Sequence, residues 1–267
     1  MIHVVTVLAG TSSYARIAQR QAVMMAKLFH ARLRVATVWE PESANDPEQI
    51  DKTWETLADE EIERISRDIG TADLVVERSL RGEGLVDGLL AEARETDLLV
   101  VGLPECPKGD EPVCRAIRHD EMPLLRKAES LILVADQDPA PIHRVLVDYH
   151  GGTEGKAALR VAGEVAIRSS AAVTVLSVNG SGEYAKMLAD SAKRYLKGFG
   201  LSDIASIERV GQPGSETEVL NAAKSAAADF IVVGAEGNGM LEWLRGRAAS
   251  QPEDLSTDLH KPVMVAR

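Results

Sequence analysis

Cysteine, positive charge and long apolar runs are all scarce in this sequence of 267 residues. Two cysteines are too few for a disulfide framework, and we expect them to be reduced thiols. No apolar run approaches the roughly 18–20 residues that a membrane-spanning helix needs, and the N-terminus lacks the pattern of a signal peptide. We therefore expect a cytoplasmic protein.

Acidic residues outnumber basic ones, with 41 Asp and Glu against 30 Lys and Arg and a net charge of −11. This balance argues against a nucleic-acid partner, because binding the phosphate backbone requires a basic surface. The excess is uneven, since residues 1–138 carry a net charge of −10 and residues 139–267 carry −1. An anionic ligand would therefore meet less repulsion in the second half.

The sequence repeats itself at a period of about half its length. Asp97–Gly102 (DLLVVG) in the first half is nearly the same as Asp229–Gly234 (DFIVVG) in the second. The closing apolar segments, Leu131–Ala135 and Pro262–Ala266, are separated by nearly the same interval. Two copies of one fold are therefore predicted.

The offset between the copies is larger at the start of each half. Val4–Ala9 aligns with His143–Asp148 at this larger offset, whereas Glu77-Arg78 aligns with Glu208-Arg209 at the offset of the closing segments. The change of offset predicts that the second copy has lost about eight residues between its second and third strands. We predict domains at residues 1–137 and 143–267, joined by a polar, proline-rich linker.

Each half alternates apolar runs with amphipathic segments, as strands alternate with helices. The apolar runs are continuous in Val, Ile and Leu, which is typical of strands covered on both faces. The predicted fold class is α/β, with two repeated, doubly wound parallel-sheet domains of Rossmann-like type. In such sheets ligands bind at the carboxyl ends of the strands.

Closely spaced glycines follow one predicted strand of the second half, at Gly234, Gly237 and Gly239. Glycine lets backbone amides approach a phosphate closely, although a tight turn without a ligand has the same composition. Asp148 ends another predicted strand of this half. Both features are therefore expected at one edge of the sheet.

Both halves resemble universal stress protein domains, and the whole chain resembles the tandem form of that family. The resemblance rests on Val145–Asp148, the Ala-rich segment that follows it, Ala228–Gly234 and the closing Lys261–Arg267. It implies that Asp148 holds the ribose hydroxyls of a nucleotide and that the backbone near Val178 meets the adenine edge. Asp148 could instead cap the following loop or helix.

Nucleotide-binding members of the resembling family carry a loop of the pattern G-x-x-G, nine residues, then G and Ser or Thr. Gly234 and Gly237 supply the first pair, but only eight residues separate Gly237 from Gly246, and Arg247 replaces the hydroxyl residue. Arg247 is a candidate phosphate ligand that would compensate for the hydroxyl, or else a solvated surface residue.

The first half departs further from the family pattern. Ala9 aligns with Asp148, and the segment after Gly102 lacks the second glycine. Pro104 and Pro107 also remove backbone donors that a phosphate would need. We predict no nucleotide site in this domain.

Catalytic and metal-binding patterns are weak. Cys106, Cys114 and His119 lack the short Cys-x2–4-Cys spacing of structural zinc sites. Histidines lie on both sides of Asp148, but no nucleophile or second carboxylate stands at a suitable spacing. We predict no catalytic residues, no metal requirement and at most slow ATP hydrolysis.

Two functions remain. The first is a stress-response protein that holds ATP, ADP or another small molecule in its second domain; the second is a nucleotide-independent interaction scaffold for an unidentified protein partner. In the resembling family, domains pair through their closing strand, which predicts an intrachain pseudo-dimer through Leu131–Val134 and Val263–Val265, with homodimerisation left open. The predicted nucleotide-binding residues are Asp148, Val178, Gly234, Gly237, Gly239, Gly246 and Arg247.

Overall fold

The computed structural model describes residues 1–38, 47–69, 74–81, 85–102, 127–235 and 261–267. These residues form two compact units, Met1–Pro139 and Ala140–Arg267. Each unit is a parallel five-stranded sheet whose strands alternate with helices along the chain. The predicted α/β fold class with two repeated doubly wound domains is confirmed.

The first unit contains, in chain order, β1 (Val4–Leu8), α1 (Ser13–Phe29), β2 (Arg32–Val38), α2 (Pro47–Ile69), β3 (Val76–Arg81), α3 (Leu85–Glu95), β4 (Leu98–Gly102) and β5 (Leu131–Ala135). Its strands are ordered β3-β2-β1-β4-β5, and every pair is parallel.

The second unit contains β6 (Arg144–Asp148), α4 (Gly152–Ser169), β7 (Ala172–Asn179), α5 (Gly182–Gly198), β8 (Ile204–Val210), α6 (Glu216–Ser225), β9 (Phe230–Gly234) and β10 (Val263–Ala266). The strand order is β8-β7-β6-β9-β10, again with parallel pairs only. Within the described residues, no helix is both long and apolar enough to cross a membrane.

One pair of repeated aspartates fixes the start of the central strands in both units. The Asp97 carboxylate accepts the backbone N–H groups of His3 and Val4 at 2.7 and 3.0 Å. Asp229 accepts those of His143 and Arg144 in the same way, at 3.0 and 3.1 Å. The aspartate that opens each DLLVVG-like segment is therefore a structural residue.

The register of the first strands corrects the sequence alignment by one residue. Val4 pairs with Arg32 in the first unit and Arg144 pairs with Ala172 in the second, so Val4 is equivalent to Arg144 and not to His143. Leu8, and not Ala9, therefore occupies the position of Asp148. The apolar run around β1 contains no distinctive residue that would fix its alignment with β6, so residue identity alone aligned the two strands wrongly.

The third strands also differ from the alignment. Leu33 pairs with Val76 and Val173 pairs with Ile204, so Val76 is equivalent to Ile204. The match of Glu77-Arg78 with Glu208-Arg209 was wrong. The second copy is thus shortened by more than the alignment indicated, and part of the loss is in the helix, since α2 has 23 residues and α5 has 17.

Candidate functional site

Asp148 is a buried carboxylate at the carboxyl end of β6. It is 1% exposed, and no described residue donates a hydrogen bond to its Oδ1. Its Oδ2 lies 3.7 Å from Nδ1 of His150, which is too far for a hydrogen bond. The capping alternative for α4 is wrong, because the N-cap of this helix is Gly151 and no side chain caps it. A buried carboxylate oxygen without a donor is costly, so the burial of Asp148 is not explained by its described neighbours.

Val178 lies on the neighbouring strand, where β7 extends past β6. The pairing of β6 with β7 ends at Leu176, which accepts the N–H of Tyr149 at 2.9 Å. The Val178 side chain is fully buried, and its Cγ1 lies 3.3 Å from where a Cβ on Gly211 would be. The predicted contact of the Val178 backbone with an adenine edge therefore stays a prediction.

An open cavity adjoins this strand end. It has a volume of about 700 Å³ and is lined by Asn179, Ser181, Glu183, Tyr184 and Met187. This volume is in the range of about 300–1,000 Å³ that small-molecule pockets have. The two apolar side chains are about half exposed, at 47% for Tyr184 and 52% for Met187. Sequence reasoning missed these residues, because a Tyr and a Met in the first turns of an amphipathic helix are common in helices of any function.

Tyr149 connects the carboxylate with the cavity. It directly follows Asp148, is 5% exposed and packs against Gly155 in the first turns of α4. Burial raises the pKa of the Tyr149 phenol, and nearby Tyr184 raises it further. The end of β6 and the start of α5 are thus close in space.

Gly234, the last residue of β9, has a packing role. A Cβ at this position would lie 3.1 Å from the carbonyl carbon of Glu154 and 3.3 Å from its oxygen, because the first turn of α4 approaches the strand here. Gly102 of the first unit is more restricted still, because a Cβ added there would lie only 2.3 Å from the backbone carbonyl oxygen of Tyr14. Since both units need a glycine here for packing, Gly234 alone is weak evidence for phosphate binding.

The positive charge of Arg267, at this sheet edge, is opposed by the negative charge of Glu154. Burial lowers the pKa of the Arg267 guanidinium, next to the end of β10, and the Glu154 carboxylate partly offsets that effect. Asp148 adds a second negative charge, so the described part of this edge supplies no surplus positive charge. Gly237, Gly239, Gly246 and Arg247 lie outside the described residues.

No group of three or more His, Cys, Asp or Glu side chains in the described part of the chain is arranged to hold a metal ion. Cys106, Cys114 and His119 lie outside that part. Their predicted lack of a metal role stays a prediction.

A family model matches part of the chain. Residues 1–105 match the model of the universal stress protein family. No curated protein matches the chain in sequence.

Solved structures extend the likeness to the whole chain. A universal stress protein from Archaeoglobus fulgidus is 16% identical, with a TM-score of 0.72 over 99% of this chain and 96% of its own. A protein of unknown function from Pseudomonas aeruginosa is 14% identical, with a TM-score of 0.60 over 99% and 92%. The cytoplasmic domain of a prokaryotic cation chloride cotransporter is 10% identical, with a TM-score of 0.54 over 100% and 95%. These likenesses show the fold and not the ligand.

The first unit has a different chemistry at the same sheet edge. Leu8 replaces the carboxylate, and the buried Gln19 donates from Nε2 to the carbonyl oxygens of Leu8 and Gly10 at 3.2 and 3.1 Å. The same nitrogen lies 3.2 Å from Glu61, which pairs with Arg64 at 2.7 Å. The turn after β1 is thus held by the protein's own side chains.

Proposed function

We propose that the second domain binds ATP, ADP or a related nucleotide at the carboxyl edge of its sheet, and that the protein serves in a stress response without a dedicated catalytic group. The observation that carries this proposal is Asp148, whose Oδ1 is buried and accepts no hydrogen bond from the described residues. Ribose hydroxyls are donors that would satisfy this oxygen, and the hydrogen bonds would be strengthened by its charge.

The rest of the nucleotide has a candidate place on each side of Asp148. The 700 Å³ cavity beside β7 suits the base, with the Tyr184 ring available for stacking. The segment from Gly237 to Arg247 follows β9 in sequence and is the candidate phosphate loop. Because Arg267 is close to the Glu154 carboxylate and its charge is disfavoured by burial, we propose that Arg247 supplies the positive charge for the phosphates.

The second candidate function is a scaffold that binds a protein partner and no nucleotide. Two observations favour it: Gly234 is explained by packing against α4, and the described sheet edge has no surplus positive charge. Under this alternative, Asp148 would be a remnant of a lost site.

Calorimetric titration with ATP, ADP and adenosine tests the proposal. Asp148→Ala should weaken all three ligands about 10- to 100-fold, because each loses a charge-assisted hydrogen bond worth roughly 1.5–3 kcal/mol. Asp190→Ala, which removes an exposed carboxylate from α5, is the matched control and should bind like the parent. No binding by the parent, or equal affinities for the parent and Asp148→Ala, would leave the scaffold as the better function.

Two further readouts separate ligand binding from structure. Arg247→Ala should weaken the binding of ATP and ADP and leave that of adenosine unchanged, since adenosine carries no phosphate. Without ligand, Asp148→Asn should unfold at the same temperature as the parent or higher, because it removes a buried charge whose Oδ1 has no described donor. A clear loss of stability in Asp148→Asn would instead indicate a structural role.

A further inference from the structure

A small cavity lies at the carboxyl ends of β1 and β4 in the first domain. Its volume is about 90 Å³, and its lining includes Leu8, Ala9, Ala18, Val100 and Val101. We infer that this cavity binds a small aliphatic group, so that the first domain uses the same sheet edge as the second for an apolar ligand. This inference is independent of the nucleotide proposed for the second domain.

The cavity is present because a small residue, Ala9, stands where the second domain has the large Tyr149. The N–H of Ala9 bonds to Ala36 as the N–H of Tyr149 bonds to Leu176, so Ala9 and Tyr149 are equivalent. In the second domain the Tyr149 ring packs against Gly155, where the first domain has Ala15. Ala9 therefore leaves open a volume that an aromatic side chain fills in the second copy.

Three polar groups around the cavity have partners within the domain. The carbonyl oxygens of Leu8 and Gly10 accept from Gln19. The hydroxyl of Ser12, which also lines the cavity, accepts from the backbone N–H of Ala15 and caps α1. Water in a cavity needs about two to four polar partners, whereas apolar cavities stay dry and take up apolar ligands.

Size restricts the ligand further. An apolar cavity of about 150 Å³ accepts benzene or xenon. The 90 Å³ available here is smaller, which favours a short aliphatic group, or the end of a longer aliphatic chain, over an aromatic ring. Leu8 and the two valines provide the methyl groups that such a ligand would contact.

Methyl NMR on the full chain, labelled at leucine and valine, tests this inference with xenon as the probe. Rising xenon pressure should shift the methyl signals of Leu8, Val100 and Val101 saturably. Val232 and Val233, their counterparts in the second domain, are an internal control and should not shift, because Tyr149 fills the equivalent volume. Absence of saturable shifts at the first-domain methyls would overturn the inference.

Two variants localise the binding. Ala9→Leu should abolish the shifts, because the added side chain occupies the cavity, as Tyr149 does in the second domain. Ala9→Ser keeps nearly the same volume but adds a hydroxyl, and it should weaken xenon binding severalfold. Shifts that persist unchanged in both variants would place the xenon elsewhere and overturn the inference; the smaller serine variant provides the test even where the leucine variant does not fold.

Discussion

Leu8 and Asp148 occupy the same position in two copies of one fold, and this difference gives the two sheet edges a different chemistry. Asp148 presents a buried acceptor that no described residue satisfies. Leu8 presents methyl groups to a cavity whose polar neighbours are engaged elsewhere. The local folds are otherwise alike, because the glycine at the end of the fourth strand packs against the first helix in both domains.

Gly102 and Gly234, which both pack against a helix, should differ in how much stability an alanine substitution costs. Gly102→Ala would place a Cβ 2.3 Å from a backbone oxygen, whereas Gly234→Ala would place one 3.1 Å from a backbone carbon. Overpacking costs about 1–3 kcal/mol, and Gly102→Ala should be at or above the upper end because backbone atoms cannot rotate away. Calorimetric unfolding of both variants measures the order. An equal or larger loss for Gly234→Ala would contradict the packing explanation.

Tyr149 predicts a pH dependence. Burial, with a contribution from Tyr184, raises its pKa above the ordinary value of 10.0, so the folded state holds this proton more tightly than the unfolded state. The stabilising effect is complete below pH 10 and is lost as the pH rises through the folded-state pKa. Tyr149→Phe should therefore flatten the fall in stability above pH 10 in alkaline denaturation. Tyr195→Phe, on the exposed face of α5, is the control and should keep the parental slope.

For single residues, the sequence predicts the position in a strand or helix better than the side chain's surroundings in the folded protein. The end of a strand at Asp148 follows from the apolar run before it. The sequence does not predict that the Asp148 Oδ1 accepts no hydrogen bond from the described residues, because the neighbours of this atom in space come from α4 and β7. The error at Ala9 has the same origin: register is set by pairing with β2, which is distant in sequence.

Among the elements, α3 carries a carboxylate that is buried in the first domain. Glu92 is fully buried and accepts a hydrogen bond from Nε of Arg81 at 2.7 Å. Its Oε2 lies 3.6 Å from Nη1 of Arg34, with which it forms an ion pair. Ser79 on β3 also donates to it. This cluster attaches α3 to β2 and β3. Glu92 and Glu95 together raise the pKa of Arg81, so the guanidinium stays charged.

Removal of the Glu92 charge should loosen that attachment. Glu92→Gln keeps the shape but removes the negative charge that faces two arginines, and we expect a loss of about 1–3 kcal/mol in the free energy of unfolding. Glu129→Gln is the matched control, since its pair with Arg94 is 66–70% exposed and is expected to contribute less than about 1 kcal/mol. Urea denaturation compares the two. Equal losses would mean that the buried cluster contributes no more than a surface pair.

The sequence predicts the helices and strands well, but not which charged faces are covered. Glu92 lies among other charged residues, a pattern typical of a solvated helix face. It is buried because β2 and β3 present Arg34 and Arg81 to this helix, a match that only the tertiary fold creates. The different lengths of α2 and α5 were also hidden, because a chance Glu-Arg identity suggested the wrong offset.

For the whole molecule, duplication has given two domains with different surfaces. The first half carries a net charge of −10 and an apolar cavity, and the second carries −1 and a buried carboxylate. The sequence predicted this division from charge and from the missing aspartate, and the one-residue correction leaves it intact because Leu8 is no more an acceptor than Ala9. Pairing of the closing strands and homodimerisation stay predictions.

The division predicts at most one nucleotide per chain. Leu8→Asp restores a carboxylate to the first domain at its correct position, yet it should not create measurable ATP affinity there. The new charge would stand in an apolar cavity, the adjacent turn is held by Gln19, and the surrounding half repels phosphate. Calorimetry on the intact chain gives the stoichiometry. The decisive variant combines Leu8→Asp with Asp148→Leu: it should bind no ATP, and binding of one equivalent would show that the carboxylate alone separates the two domains.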